Sequence, residues 1–346
     1  MYSFRNDYSE GAHPKLLEAL TATNLTQTVG YGLDPFCAEA ADTIRRLCAA
    51  PEAAVHFLVG GTQANLVTIA ALLEPYEAVI AAHTGHVNVH ETGAIEATGH
   101  KVCTALAPDG KLTPALVEAV LAEHNGTEHM VAPRLVYLSN TTEIGTIYTK
   151  AELAALRRCC DEHGLLLYLD GARLGSALTA EGNDLTLADL AALTDAFYIG
   201  GTKNGALFGE ALVLARPHAH YRWHMKQRGA VLAKGRLLGV QFQALLADGL
   251  YFDLARHANA LAIRLRDGMT ALGVSFPVPS PSNQQFPVLD NGVIAALEAR
   301  GYEFETDHPV DENRTCVRFV TSWATPQTAV EELLADLADI LRETKG

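Results

Sequence analysis

Three apolar runs in this chain end at residues that do not belong in a core. LLLYL (165–169) leads into Asp170, Gly171, Ala172 and Arg173; AFYIGG (196–201) leads into Thr202 and Lys203; AVHFLV (54–59) leads into Gly60, Gly61 and Thr62. A lysine amine can attack a carbonyl, and a carboxylate can keep a ring nitrogen protonated. A glycine turn that opens a helix offers unpaired N–H groups and a positive dipole end to an anion. Singly, each has a plainer reading: Asp170 as a helix cap, Lys203 as a surface lysine, the glycines as turn chemistry.

The order of the three changes their weight. In open α/β sheets, ligands gather beyond the carboxyl ends of the strands, so three such ends point to one shared site. An amine for an aldehyde, a carboxylate for a pyridine nitrogen and N–H donors for a phosphate are the parts that pyridoxal 5'-phosphate requires. Lys203, Asp170 and Gly61/Thr62 supply them in that order.

The elements that must position these residues follow from periodicity. From about residue 34, β-branched runs alternate with helical patterns, which predicts a mostly parallel sheet with helices on both faces. Asp34-Pro35 reads as an N-cap and first helical residue, opening a helix through Ile44 and Leu47. The strands AVIAA, KVCTAL and RLVYLSN join the three already named, and KAELAALRRCCDEH is a helix stopped by Gly164. Leu250, Leu254, Leu261, Leu265, Met269 and Leu272 recur at helical spacing and predict a buried stripe. The tail (FPVLD, NGVIAALEARG, CVRFVTSW and a helix from Pro326) predicts a separate small α/β domain. The expected organisation is an N-terminal arm over residues 1–33, a large domain over 34–248, and a connecting helix with the small domain over 249–346.

The whole chain sets bounds. Its 346 residues carry 26 Lys and Arg against 40 Asp and Glu, a formal charge of -14, which leaves no global basic footprint for nucleic acid or anionic lipid. Charges fall where a signal peptide would be apolar, and no apolar run is long enough to span a bilayer, so a cytoplasmic protein is expected. The six cysteines form no CxxC pair and read as buried, reduced thiols. The sequons at Asn24, Asn125 and Asn140 are expected to carry no glycan. His83, His86 and His90 are closely spaced, but apart from Glu91 nothing completes a ligand set, so no metal is expected.

The stretches SFRNDYSEGAHP, GYGLDPF, FLVGGTQANL, HVNVHETGA, SNTTEIGTIYT, YLDGARLG and FYIGGTKNG, with CVRFVTSW later, resemble the threonine aldolase family of fold type I pyridoxal phosphate enzymes. The resemblance implies an aspartate aminotransferase-like fold and aldol cleavage of L-threonine or L-allo-threonine to glycine and acetaldehyde. β-Elimination and cleavage of phenylserine-like substrates are the alternatives on the same scaffold. It further implies that Lys203 carries the cofactor as a Schiff base, Asp170 pairs with the pyridine nitrogen and His86 stacks over the ring. Arg173 and Arg318 would hold the substrate carboxylate, with Arg173 and Thr202 also touching the cofactor. Lys234 would reach the cofactor phosphate across a subunit boundary, and Tyr31 would stand at the mouth of a neighbouring site. Both imply a homo-oligomer, a dimer or a tetramer built as a dimer of dimers.

Two departures from the family pattern stand out. Asn6, expected at the substrate carboxylate, replaces a serine common in the family, and a histidine found in some members is replaced by Asn140-Thr141-Thr142-Glu143. The base for the substrate hydroxyl is therefore open among His86, Glu91 and a phosphate-linked water.

Overall fold

In the computed structural model, which describes residues 2–124 and 126–343, the apolar runs become a seven-stranded sheet; the Asn125 sequon lies outside the described residues. The strands are β1 Ala54–Leu58, β2 Glu77–Ala82, β3 Val102–Ala105, β4 Ala132–Ser139, β5 Leu166–Asp170, β6 Ala196–Gly200 and β7 Glu210–Leu214. Their spatial order is β1-β7-β6-β5-β4-β2-β3. The pairs β6/β5, β5/β4, β4/β2 and β2/β3 are parallel, and β7 alone runs antiparallel to both its neighbours. Apolar side chains cover both faces, so β6 and β7 are buried throughout, as strands between two helical layers must be.

The expected caps at Asp34 and Gly164 are present, and a capping box joins them. Asp34 caps helix Pro35–Leu47 by accepting the Cys37 N–H at 2.9 Å. Thr149 and Glu152 form a capping box at the start of Lys150–His163, and Gly164 closes that helix at a φ of 65°. Strand β7 was not among the expected strands. It returns after the glycine-rich loop 201–209, where Gly205 and Gly209 take φ values of 95° and 120° that a side chain would strain.

A third apolar core lies apart from the two that sandwich the large sheet. It holds Phe4, Leu289, Val317, Phe319, Val330 and Leu333, around the small strands β8 Gln284–Gln285, β9 Val288–Asp290, β10 Glu305–Pro309 and β11 Arg314–Val320. Helix Leu250–Ala271 joins the cores, giving Leu250, Tyr251 and Leu254 to one and Leu261, Leu265 and Met269 to the other. The last helix spans Gln327–Glu343. The N-terminal segment is stitched to the small sheet: Phe4 N–H donates to Glu303 at 2.8 Å, and Val320 N–H donates to Phe4 at 2.8 Å. That fixes the path of residues 5–8 toward the site. No helix among the described residues is long and apolar enough to cross a membrane. All six cysteines are free and buried.

Candidate active site

Asp170, the last residue of β5, is buried, and each of its oxygens has two donors. Oδ2 accepts from Asn65 Nδ2 at 2.9 Å and the Tyr137 hydroxyl at 2.6 Å; Oδ1 accepts from the Tyr198 hydroxyl and, at 3.0 Å, from Ala172 N–H. Burial alone would raise its pKa, but neighbouring His86 and these donors outweigh burial and hold the carboxyl below its ordinary value. The tyrosines come from adjacent strands: Tyr137, Tyr168 and Tyr198 each stand two residues before a strand end, so the pleat turns all three to one face. Tyr168 anchors the group by donating to Asn65 Oδ1 at 3.0 Å. Gly171 has to be glycine here, because a Cβ would fall 1.8 Å from the Tyr198 carbonyl oxygen.

The turn after β1 opens helix Gly61–Leu72, whose N-cap Gly60 provides no side-chain cap, so the first N–H groups are free for an anion. Thr62 is exposed there. A Cβ at Gly61 would lie 2.9 Å from the Tyr198 hydroxyl, which places this terminus against the Asp170 cluster. Thr202 follows β6; its hydroxyl donates to Glu210 Oε1 at 2.8 Å and accepts from Gly209 N–H at 2.9 Å. Lys203 is partly buried, with Nζ 5.9 Å from the Tyr8 ring centroid. Burial, then the Arg173 charge, lowers its amine pKa against the pull of Asp7, Asp170 and Glu210.

Arg173 is gripped from behind. Its Nε and Nη2 donate to the two oxygens of buried Asp7 at 2.7 and 3.0 Å, and Asn283 Nδ2 donates to the same carboxylate at 2.9 Å. Asp7, Arg173, Lys203, Asn204 and Asn283 line one small cavity. Arg318, on β11, sends Nη2 to the Arg5 carbonyl at 3.4 Å, while its buried Nε has no partner. Burial and then the Arg173 charge lower its pKa. Asn6 turns away into a local bend, accepting from Tyr8 N–H and the Ser9 hydroxyl at 2.9 Å each. The next residue, Asp7, is the one that reaches Arg173.

His86 Nδ1 lies 2.7 Å from Glu91 Oε1, and Asn65 Nδ2 donates to that same oxygen at 2.6 Å. The histidine is thereby linked through Glu91 and Asn65 to Asp170, with Nε2 left as its free nitrogen. Glu143, in the stretch that lacks the family histidine, accepts from His86 N–H at 2.9 Å and from the Ser139 hydroxyl at 2.6 Å, and burial raises its pKa. The neighbouring histidines do not gather with His86 into a ligand set. His83 Nδ1 accepts from Ala107 N–H at 3.2 Å, and the ligand-type clusters among the described residues are Glu118, Cys159, His163 and Asp307, His308, Cys316. Tyr31 and Lys234 lie elsewhere: Lys226 Nζ sits 5.1 Å from the Tyr31 ring, Arg222 donates to the Tyr31 carbonyl, and Lys234 is exposed.

Lys203, Asp170, Arg173, Arg318, His86, Thr202 and the Gly61 turn thus gather around the carboxyl ends of β1, β5 and β6. Glu91, one of the expected candidates for the base, joins them through His86, and Asn65, Asp7, Glu210, Tyr137 and Tyr198 complete the site without having been foreseen. Of these, the tyrosines left a trace in the sequence, at matched distances from three strand ends.

The chain belongs to the beta-eliminating lyase family, whose description matches residues 4–291. Within it the chain lies with the threonine aldolases. It is 34% identical over 339 residues to the low specificity L-threonine aldolase of Pseudomonas aeruginosa, covering 96% of each chain. The solved threonine aldolase of Leishmania major superposes with a TM-score of 0.97 at 51% identity, over 99% of this chain and 100% of that one. At the level of fold alone, aspartate aminotransferase of Thermus thermophilus aligns with a TM-score of 0.71 at 20% identity, over 98% and 91% of the two chains.

Proposed function

We infer that this chain cleaves β-hydroxy amino acids such as L-threonine and L-allo-threonine between Cα and Cβ, giving glycine and an aldehyde, with pyridoxal 5'-phosphate as cofactor. One observation carries the reading: buried Asp170 with its four hydrogen-bond donors, Lys203, and the guanidinium groups of Arg173 and Arg318 stand together at one end of the sheet. The residues fit the cofactor on this chain's own geometry. Asp170 is held as a carboxylate that would pair with a protonated ring nitrogen, the uncapped helix at Gly61 can take a phosphate, and Lys203 offers an amine that gives up its proton more readily than an exposed lysine. When bound, the cofactor supplies an aldehyde for that amine and an electron-withdrawing ring that accepts the electrons of the broken bond.

The protein's part is binding, orientation and proton handling. Arg173, fixed by Asp7, and Arg318, with its free Nε, clamp the substrate carboxylate so that the Cα–Cβ bond takes the reactive orientation. His86 would contact the cofactor ring. The Glu91 contact at Nδ1 leaves Nε2 to take the β-hydroxyl proton, which supports His86 as the base over Glu91 and a phosphate-linked water. Thr62 and Thr202 would contact the cofactor, whereas Asn6, whose side chain is taken up by Tyr8 N–H and the Ser9 hydroxyl, leaves the arginine clamp to Asp7.

Tyr31 and Lys234 belong, on this reading, to a subunit boundary in a homo-oligomer. The run Leu25, Val29, Tyr31 and Leu33 is exposed and apolar, with Leu25 92% and Leu33 63% accessible, as a surface covered by a second copy would be. Six free thiols suit a reducing, cytoplasmic setting. We keep the arm, large-domain and small-domain division at residues 33/34 and 248/249 as the working organisation.

The test is release of acetaldehyde and glycine from L-threonine by the purified, cofactor-supplied protein beside a Lys203→Ala control. Equimolar products that vanish in the control are expected. Pyruvate and ammonia instead of aldehyde would replace the aldolase by an eliminating enzyme.

A further inference from the structure

Glu210 is a buried carboxylate that the reaction as drawn does not use. It begins β7, where it is paired in register with Leu58 of β1 on one side and Gly200 of β6 on the other. Two residues beyond Leu58 the chain enters the Gly60–Thr62 turn, and two residues beyond Gly200 it reaches Thr202. The two turns leave the sheet at the same end, on either side of Glu210.

Glu210 Oε2 accepts from Gly201 N–H at 3.1 Å, and Oε1 accepts from the Thr202 hydroxyl at 2.8 Å. Gly209 N–H donates to Thr202 Oγ1 at 2.9 Å, occupying one of its two lone pairs. While Glu210 is ionised, the single hydroxyl hydrogen of Thr202 is spent on Glu210. Once Glu210 carries a proton, Oε1–H can donate to the remaining lone pair of Thr202, and the hydroxyl hydrogen is released.

We propose that Glu210 is a positioning residue whose proton sets the direction of the Thr202 hydroxyl: ionised Glu210 draws it inward, and protonated Glu210 frees it to donate to the cofactor phosphate. This rests on the cofactor reading of the site. The group is suited to switch near neutrality, since burial pushes its pKa up to about 8, against the Thr202 bond, the Lys203 charge and the Gly201 N–H. The other titratable groups acting there are Asp170 on β5, Tyr198 on β6 and Tyr251 on helix Leu250–Ala271.

The test uses full-length protein freed of cofactor and titrated by calorimetry with pyridoxine 5'-phosphate, which has no aldehyde and so cannot condense with Lys203. From pH 7 to 9.5, affinity should fall about tenfold, the scale of one charge-assisted hydrogen bond. Glu210→Gln should bind more tightly than the unsubstituted protein at pH 9.5 and lose the part of the slope that Glu210 causes, because its amide N–H donates to Thr202 as the protonated acid does. Thr202→Val should bind weakly with the same reduced slope, and Thr202→Ser should restore the full slope. In a Lys203→Ala background, which removes the lysine titration, the profiles with and without Glu210→Gln should still separate, with the midpoint moved upward by loss of the lysine charge. Coincident profiles for the unsubstituted and Glu210→Gln proteins, or a full slope in Thr202→Val, overturn the proposal alone. No binding by the unsubstituted protein at any pH overturns the cofactor reading and this proposal together.

Discussion

Asp170 and Arg318 are both charged groups of the candidate site, yet the protein treats them in opposite ways. Both Asp170 oxygens accept hydrogen bonds, from Tyr137, Asn65, Tyr198 and Ala172 N–H, which hold the carboxylate charged and in place. Arg318 has a buried Nε without a partner and lies within the field of a second guanidinium at Arg173. A carboxylate prepared in advance suits a permanent partner. Two like charges left partly unpaired suit an anion that arrives, is converted and departs, because each arrival relieves the repulsion.

The largest expected effect tests the prepared side. Asp170→Ala should lower kcat on the order of 1000-fold with saturating cofactor, the scale set by removing a preorganised charge from a reacting group. Steady-state aldehyde release measures it, and a loss under tenfold would mean that Asp170 is merely structural. Arg318→Gln tests the open side. KM for threonine should rise roughly 10- to 100-fold, as expected for a lost charge-assisted bond. Stability of the cofactor-free protein should hold or increase, since the substitution removes an orphaned buried donor and a repulsion. A fall in melting temperature together with an unchanged KM would erase the contrast between the two sides.

Tyr198→Phe has a smaller, pH-dependent effect. Removing one donor to a buried carboxylate should cost about 1 to 3 kcal/mol at pH 7. The sign with pH follows from the lowered Asp170 pKa: such a group contributes stability above its unfolded value, about 3.9, and loses it as pH falls through the folded value. The variant raises the folded value, so its deficit should be full at pH 6 and shrink toward pH 3. Urea unfolding at the two pH values measures it, and a deficit that grows in acid would contradict the assignment of Tyr198 as a donor to an ionised Asp170.

The residues readable in advance share one property, which is that they interrupt a pattern. Asp170, Lys203 and the Gly60–Thr62 turn each break an apolar run, and the helix caps at Asp34 and Gly164 follow from local backbone needs. The partners were hidden because they fit their patterns. Tyr137 and Tyr198 count as apolar strand residues, and only the folded sheet brings their hydroxyls to Asp170, 33 and 28 residues away. Asp7 lies 166 residues from Arg173, and no local signal tells it from Asn6. Strand β7 escaped notice because it is five residues long and starts with Glu210, a residue disfavoured in strands, used here for its carboxylate. Local rules reach the ends of elements, whereas side-chain pairing across the sheet requires the topology.

The smallest expected effect joins the carboxylate cluster to the anion-binding turn. Gly61 has no left-handed backbone to defend, so Gly61→Ala is limited by space alone: the new Cβ would lie 2.9 Å from the Tyr198 hydroxyl. The hydroxyl must move, weakening its bond to Asp170, while alanine gains on glycine by restricting the unfolded chain, roughly 0.4 to 1 kcal/mol. The two terms nearly cancel, and the single variant should change stability by under about 1 kcal/mol. The coupling is more informative than the sum. In a Tyr198→Phe background no hydroxyl remains to be displaced, so Gly61→Ala should become stabilising, and a double-mutant cycle should show an interaction of about 0.5 to 1 kcal/mol. A cycle that closes to zero would mean that the helix terminus and the Asp170 cluster are neighbours without being coupled.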